Sequence, residues 1–264
     1  MEKLEDKVAI VTGAARGNGE GVVRVMARKG ATVVLTDVLD LVHKTAKSIS
    51  DSGYKAVSLK MDITKPAEVD HVVQKVLEQF GKIDILVNNA GVLKLVPLVD
   101  MPDEVRDRMI DVNIKGTFVV TKAVLPGMIK RKYGRIVNLS SVTGPLVADV
   151  GETAYATTKA AIWGFTRALA FEVAKYGITV NAICPGMIDT DMVRGMAAQT
   201  NPSDPQSVLR DLARGIPMGR LGTIEEVGEL VAFLASDEAK YITGTPILID
   251  GGSTLSESGV FAPG

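Results

Sequence analysis

Residues 8–19 read Val-Ala-Ile-Val-Thr-Gly-Ala-Ala-Arg-Gly-Asn-Gly, an apolar run that passes directly into a glycine-rich turn. The run predicts a buried strand, and the segment from the turn to Gly30 has a helical pattern. Glycines in such a turn let the backbone approach a pyrophosphate, and the N–H groups of the following helix start point at the anion. The sequence therefore predicts phosphate binding here, with a purely structural turn as the alternative.

Short β-branched runs alternate with longer amphipathic segments along the chain. Strands separated by helices imply right-handed crossovers and a parallel sheet covered on both faces. We predict an α/β protein in which residues 1–264 form one Rossmann-fold domain, a doubly wound seven-stranded parallel sheet with helices on both faces. The predicted strands are 8–11, 32–35, 56–59, 83–87, 135–139, 178–183 and 246–249.

Two regions interrupt this alternation. Residues 187–222 contain several methionines and a polar run at 200–205 that would break a simple crossover helix. We expect an insertion there that covers a substrate pocket. Residues 251–264 are rich in glycine and serine, and are predicted to be a C-terminal tail that is either flexible or docked on a neighbouring subunit.

The charge of the chain is balanced, with 30 Lys and Arg against 31 Asp and Glu. No basic block would track nucleic acid or bind an anionic membrane. The charged N-terminal sequence lacks the apolar core of a signal peptide, and no apolar stretch approaches the about 18 residues of a membrane helix. We therefore expect a soluble, cytoplasmic protein that binds neither nucleic acid nor membrane.

Cysteine and histidine give no sign of a metal site. The single cysteine, Cys184, lies in an apolar run and is interpreted as a buried structural thiol. His43 and His71 occur in helix-like segments without a cluster of metal-ligating residues around them. No metal is therefore expected.

An acidic residue, Asp37, ends the second predicted strand, eighteen residues beyond Gly19. A carboxylate at that position accepts hydrogen bonds from the adenosine ribose and repels a 2′-phosphate, which favours NAD over NADP. Arg16 in the turn favours NADP instead, because a cation there could pair with a 2′-phosphate. We interpret the acid as the stronger influence.

Tyr155 and Lys159 are four residues apart in a helix-like segment and therefore share a helix face. A cation beside a phenol lowers the pKa of the phenol, and a phenol poised in this way can exchange a proton with an alcohol or ketone. On its own the spacing is weak evidence, because most such pairs are solvated surface neighbours.

Together these motifs resemble the classical short-chain dehydrogenase/reductase family over essentially the whole chain. Their joint occurrence in this order is highly specific. The matching motifs are the turn at 12–19, Asn88-Asn89-Ala90-Gly91, Asn113 with Gly116, Ser141 with Tyr155 and Lys159, and Pro185-Gly186.

The resemblance implies four catalytic residues. Tyr155 would be the general acid/base, and Lys159 would lower its pKa and hold the nicotinamide ribose. Ser141 would hydrogen-bond the substrate oxygen, with Ser140 as the alternative. Asn113 would complete a proton relay through water to Lys159.

The resemblance also implies a dinucleotide site. Asp62 would contact the adenine, and Ile188 with Thr190 would hold the carboxamide. Asn88 and Ala90 would line the adenosine side, although Asn88 could instead brace the sheet. The predicted cofactor-binding residues are Gly13, Arg16, Gly17, Asn18, Gly19, Asp37, Asp62, Ile63, Asn89, Ala90, Gly91, Tyr155, Lys159, Pro185, Gly186, Ile188 and Thr190.

The chain departs from the family pattern at two places. Asn18 stands where an apolar residue is usual between the last two glycines of the turn. Ser141 precedes Tyr155 by fourteen residues, one more than expected, so the loop 142–154 is predicted to bulge toward the substrate.

These features predict an NAD-dependent oxidoreductase that transfers a hydride between nicotinamide and a secondary alcohol or carbonyl of a small molecule. The alternatives are an NADPH-dependent 3-oxoacyl-thioester reductase, suggested by Arg16, and a non-catalytic dinucleotide-binding protein. An apolar substrate pocket is suggested by Val142, Leu146, Val147, Met187, Met192 and Met196.

The resemblance further implies a homotetramer. The helix after Tyr155 has more apolar residues than a single core-facing stripe needs, so one side could be core and another an interface. Core packing alone is the alternative. The residues concerned are Trp163, Phe165, Leu169, Phe171 and Val173.

Overall fold

The computed structural model describes residues 4–255, which form a seven-stranded parallel sheet of order β3-β2-β1-β4-β5-β6-β7. All seven predicted strands are confirmed, and their ends differ from the predicted ones by at most two residues. The strands are β1 (Val8–Thr12), β2 (Thr32–Asp37), β3 (Ala56–Lys60), β4 (Ile85–Asn88), β5 (Gly134–Leu139), β6 (Ile178–Pro185) and β7 (Pro246–Ile249).

Helices connect the strands and cover the sheet on both sides, as the doubly wound prediction requires. A π-helical turn, Ile110–Gly116, joins two of them without a break. The helices are α1 (Gly17–Arg28), α2 (Leu41–Asp51), α3 (Pro66–Phe80), α4 (Asp103–Met109), α5 (Thr117–Arg131), α6 (Thr153–Val173), α7 (Asp191–Thr200), α8 (Pro205–Arg214) and α9 (Ile224–Leu234).

Two apolar cores lie on opposite faces of the sheet. One packs α1, α2 and α9 against the strands, and the other packs α3, α5 and α6. The central strands β1, β4, β5 and β6 are buried along their whole length. A strand covered on both faces is apolar throughout rather than alternating, which is why the β-branched runs predicted these strands so well.

The strand order reverses beside β1. Ala9 pairs with Val33 of β2 on one side and with Ile85 of β4 on the other. The connections from the two strands therefore leave in opposite directions, and a crevice opens beyond their carboxyl ends, where ligands bind in sheets of this kind.

Two glycines allow α1 and α9 to cross at close range. A Cβ atom at Gly21 would lie 2.1 Å from the carbonyl oxygen of Ile224, and one at Gly228 would lie 2.7 Å from the carbonyl oxygen of Gly21. Neither position has room for a side chain, so both glycines are needed for helix packing rather than for a special backbone angle.

The predicted insertion 187–222 contains the helix pair α7 and α8. Of the predicted tail, residues 251–255 fold around the Asp250 carboxylate, which accepts hydrogen bonds from the main-chain N of Gly252 and Thr254. Residues 256–264 lie outside the described residues. In the described part of the chain, every helix is too short or too polar to span a bilayer.

Candidate active site

The glycine-rich turn closes tightly against β4. A Cβ atom at Gly13, where φ is 64°, would lie 2.8 Å from the Cα of Ala90, and one at Gly19 would lie 2.2 Å from the carbonyl oxygen of Gly13. Gly17, with φ 59°, faces Thr190, whose Cγ2 would lie 3.7 Å from an added Cβ. The three glycines therefore form a narrow cradle at the start of α1.

Thr12 and Asn89 fasten this turn to β4. The Thr12 hydroxyl accepts hydrogen bonds from the main-chain N of Asn89 at 3.0 Å and of Ala90 at 3.1 Å. The Asn89 side chain donates to the carbonyl oxygens of Thr12 and Gly13, at 2.9 and 2.8 Å. These bonds hold the carboxyl ends of β1 and β4 side by side.

The cradle fits a dinucleotide pyrophosphate. It leaves backbone at the start of a twelve-residue helix without side-chain cover, and a helix N-terminus attracts anions. The amide oxygen of Asn18 is buried there and accepts no hydrogen bond from the residues that the structure describes. A buried acceptor of this kind is rare without a partner, and a ligand hydroxyl or amide would satisfy it.

Asp37 lies at the end of β2, as predicted, with its carboxylate beside the turn. It accepts hydrogen bonds from the main-chain N of Ala15 at 3.1 Å and of Leu39 at 2.9 Å. Arg16 points away from it and pairs with Asp191 of α7, with 3.3 Å between Nη1 and Oδ2. The negative charge therefore adjoins the turn, and the positive charge adjoins α7.

The residues predicted for the adenosine side are buried or partly buried. Asp62 accepts two hydrogen bonds from Thr64. Burial raises the pKa of the Asp62 carboxyl, but these bonds and nearby positive charges lower it, and the pKa stays below its ordinary value. Ile63 is buried and packs against Gly116. Asn88 is buried and donates to Asn138 and Thr121, so it braces the sheet, which was the alternative interpretation.

The end of β6 brings the last predicted residues to the cleft. Gly186 is wedged against Asp250, where an added Cβ would lie 2.8 Å from the Asp250 Cβ. Ile188 is buried and pairs with Gly222. Thr190 begins α7 and accepts a hydrogen bond from the main-chain N of Val193. Pro185 is the buried last residue of β6.

Tyr155, Lys159 and Ser141 meet at the carboxyl edge of the sheet. Tyr155 and Lys159 lie one turn apart on α6, with the Lys159 Nζ 5.6 Å from the centre of the phenol ring. The Nζ donates to the carbonyl oxygen of Leu139 at 2.8 Å. The Ser141 side chain lies close enough to the Tyr155 phenol to lower its pKa, whereas the Ser140 hydroxyl donates to the carbonyl oxygen of Lys159. Ser141 rather than Ser140 therefore adjoins the phenol.

The expectation that Lys159 lowers the pKa of the phenol stays a prediction, and burial acts in the opposite direction. Burial raises the pKa of Tyr155 to about 12, against the lowering effect of the Ser141 side chain, and the charge of Glu152 raises it further. Burial also lowers the pKa of Lys159 to about 8. Desolvation thus disfavours the charged form of each group.

Asn113 lies in the π-helical turn and is buried. Its amide accepts from the main-chain N of Val92 at 2.8 Å, and donates to the carbonyl oxygen of Val92 and to the hydroxyl of Thr158, both at 3.0 Å. The side chain thus joins the segment after β4 to α6. The extra residue of the π turn occurs at a predicted site residue, and π turns are frequent at functional sites.

Three residues of the site were missed by sequence reasoning, namely Thr12, Thr158 and Glu152. Thr12 ends an otherwise apolar strand, and a lone hydroxyl in that place is a signal that could have been used. Thr158 and Glu152 lie within one turn of Tyr155 on either side. Among residues 4–255, no group of three or more His, Cys, Asp or Glu side chains is arranged to hold a metal ion.

Comparisons with known proteins agree with this geometry. A family model described as enoyl-(acyl carrier protein) reductase matches residues 13–254. Oxidoreductase UcpA of Salmonella typhimurium is 55% identical over 98% of this chain and 98% of UcpA. The 3-oxoacyl-[acyl-carrier-protein] reductase FabG of Escherichia coli is 41% identical over 94% of this chain and 98% of FabG. The crystal structure of levodione reductase superposes with a TM-score of 0.92 at 31% identity, covering 96% of this chain and 99% of that protein.

Proposed function

Because this chain belongs to the short-chain dehydrogenase/reductase family and is an oxidoreductase, we propose that it interconverts a secondary alcohol and a carbonyl with NAD. The observation that carries the proposal is the Tyr155 phenol, which lies near the Ser141 side chain and has the Lys159 Nζ 5.6 Å from its ring centre. Fold alone would not establish this chemistry, whereas a proton donor paired with a second hydroxyl in the crevice supports it.

In the proposed reaction Tyr155 exchanges a proton with the substrate oxygen, and Ser141 holds that oxygen by a hydrogen bond. A hydrogen bond to the carbonyl oxygen of Leu139 holds the Lys159 ammonium near the phenol. Asn113 fixes the segment after β4 against α6, and a relay through water from it to Lys159 is part of the proposal. When bound, the nicotinamide would supply the hydride acceptor or donor.

The test of the proposed function is Tyr155→Phe. We expect the variant to lose turnover, because the proton donor is gone, yet to retain NADH binding measured by fluorescence. Tyr54→Phe is a matched control, because Tyr54 is exposed and lies outside the site. Turnover of Tyr155→Phe at the level of wild type and control would contradict the assignment.

The preference for NAD is proposed from Asp37. Its carboxylate at the end of β2 would meet a ribose hydroxyl favourably and a 2′-phosphate unfavourably. Asp37→Asn keeps the size and an acceptor oxygen but removes the charge. We expect the ratio of kcat/KM for NADH to that for NADPH to fall by at least about tenfold, which is about 1.4 kcal/mol. An unchanged ratio would show that Asp37 does not select the cofactor.

A 3-oxoacyl-thioester reductase using NADPH is the second candidate, favoured by the 41% identity to FabG. The Arg16 pairing with Asp191 weakens it, since that cation is already engaged. Assaying acetoacetyl-CoA with each cofactor separates the two candidates, because only the second predicts efficient reduction of the thioester by NADPH.

The substrate proposal is limited to an apolar alcohol or carbonyl compound. Val142 is buried beside Ser141, while Leu146, Val147 and Met192 are 43–44% exposed. Methionine and branched side chains suit a pocket that adapts to apolar groups. A screen of alcohols and carbonyls by NADH absorbance would identify the class, and we propose that 187–222 covers the substrate during the reaction.

A homotetramer is proposed from α6, and a cytoplasmic location stays a prediction from the sequence. One side of α6 holds the buried Leu169 and Val173, whereas Phe171 is 92% exposed. Phe171 lies on an open face of α6 with the small residues Gly164 and Ala168, and Arg167, Glu172 and Lys175 border that face. A helix face with small residues, an exposed aromatic ring and charges of both signs suits packing against the same helix of another subunit.

A further inference from the structure

Glu152 is a buried carboxylate next to the catalytic phenol. It directly precedes α6, three residues before Tyr155, and is 6% exposed. Its Oε2 accepts a hydrogen bond from the main-chain N of Asp149 at 3.0 Å, and the Thr143 side chain lies close enough to lower the pKa of the carboxylate. A buried charge with only neutral donors as hydrogen-bond partners costs free energy, so its presence at this site needs an explanation.

The two partners of Glu152 belong to the loop that carries Ser141. Gly144, with φ 104°, lies against α6, and an added Cβ would lie 2.3 Å from the carbonyl oxygen of Ala156. The main-chain N of Ala156 in turn donates to the carbonyl oxygen of Glu152 at 2.7 Å. The carboxylate therefore ties the loop at Asp149 to the start of α6, and the main chain at Gly144 packs against the same turn.

The charge of Glu152 also acts on the phenol. It raises the pKa of Tyr155, in the same direction as burial. Burial raises the pKa of Glu152 itself, and the negative charge of the exposed Asp149 adds to that rise. Proton loss from either group is thus harder while the other is charged.

We propose that Glu152 is a positioning residue that ties the Ser141 loop to α6 and places a buried carboxylate one helical turn from the Tyr155 phenol. This inference rests on the proposed oxidoreductase function. It adds that the phenol is held as the proton donor for a carbonyl at neutral pH, and that alcohol oxidation, which needs the phenolate, becomes efficient only at higher pH.

The charged groups around Glu152 come from three elements. Asp149 lies on the loop and Tyr155 on α6. The segment before α4 packs on the loop through a hydrogen bond from the main-chain N of Val96 to the carbonyl oxygen of Gly151, and its charged residues, Lys94 and Asp100, are exposed. Lys159 is the buried cation beside the phenol. Glu152 is therefore the buried negative charge whose removal changes the field at the phenol.

The charge is tested with Glu152→Gln, which retains the size and an acceptor for the Asp149 N–H. The measurement is the pH profile of kcat/KM for alcohol oxidation, with the exposed Glu104→Gln of α4 as the control. We expect the rise in rate to move to lower pH in Glu152→Gln only. A profile that matches wild type and control would overturn the proposal, because a merely structural residue would leave the midpoint in place.

The attachment of the Ser141 loop to the Glu152 carboxylate is tested with Glu152→Ala, by hydrogen exchange measured by mass spectrometry. Exchange within 142–152 is expected to be faster by about tenfold in Glu152→Ala and near wild type in Glu152→Gln, because only alanine removes the acceptor. Equal exchange in all three proteins would also overturn the proposal. Absence of turnover in wild type would instead refute the proposed function, and hydrogen exchange would still decide whether Glu152 holds the loop.

Discussion

At the scale of single residues, the site is governed by desolvation. The phenol of Tyr155 and the ammonium of Lys159 are one turn apart, yet burial favours the neutral form of each. The four-residue spacing shows that the two side chains share a helix face, so sequence reasoning predicts that the lysine stabilises the phenolate. It cannot see the depth at which that face is buried, and depth decides the direction of both pKa changes.

Lys159→Met is expected to abolish turnover and to raise the free energy of unfolding by about 2 kcal/mol at pH 7. The pKa of the folded lysine, about 8, is below its ordinary value of 10.5. The cost of burying the charge is therefore full below pH 8 and disappears as the pH rises to 10.5. Urea unfolding at several pH values should show the advantage of the variant shrinking across that range.

Lys44→Met, on the exposed side of α2, is the control for this prediction. It should change neither turnover nor the pH dependence of unfolding. A Lys159→Met protein that is less stable than wild type at pH 7 would mean that the hydrogen bond to Leu139 outweighs desolvation.

At the scale of elements, backbone contacts place the helices more closely than side-chain patterns reveal. The helical pattern after the glycine-rich turn predicts α1, but its crossing with α9 depends on Gly21 and Gly228, where main chain meets main chain. The π turn before α5 has no sequence signal of its own. In the structure, the π turn holds Asn113 where its side chain hydrogen-bonds with both Val92 and Thr158.

Gly21→Ala is expected to lower the free energy of unfolding by about 2 kcal/mol, since its methyl group would overlap the carbonyl oxygen of Ile224. Gly195→Ala in α7 is the matched change, because nothing lies within 4 Å of its added Cβ. It should stabilise by up to about 1 kcal/mol through helix propensity. Chemical denaturation of both variants checks the pair, and similar stability in the two would disprove the proposed contact.

At the scale of the whole molecule, the sequence predicts the architecture well. Strands buried on both faces are continuous apolar runs, and their alternation with helices leaves few topologies open. The course of 187–222 is less predictable, because its polar breaks indicate an interruption without giving the two helices α7 and α8. The role of Asn88 shows a similar limit, since a motif position does not tell which way an amide points.

The proposed tetramer is tested by Gly164→Arg. No atom of the same chain lies within 4 Å of a Cβ at Gly164, so the fold of one subunit has room for the change. In an assembly packed through α6 the arginine would be buried against a neighbour. Light scattering should show a tetramer for wild type and a smaller species for the variant, and a monomeric wild type would remove the proposal.

The neighbours of β1 also set the order in which the chain can fold. Its partner on one side, β2, follows within a few tens of residues. Its partner on the other side, β4, is synthesised much later, so Ala9 pairs with Ile85 only then. Pairings between distant segments form slowly. During synthesis, a nascent chain can therefore form the β1-α1-β2 unit early. The other side of the crevice forms only after β4 leaves the ribosome, and Tyr155 and Thr190 are added later still. Capacity to bind nucleotide should thus emerge near the end of translation.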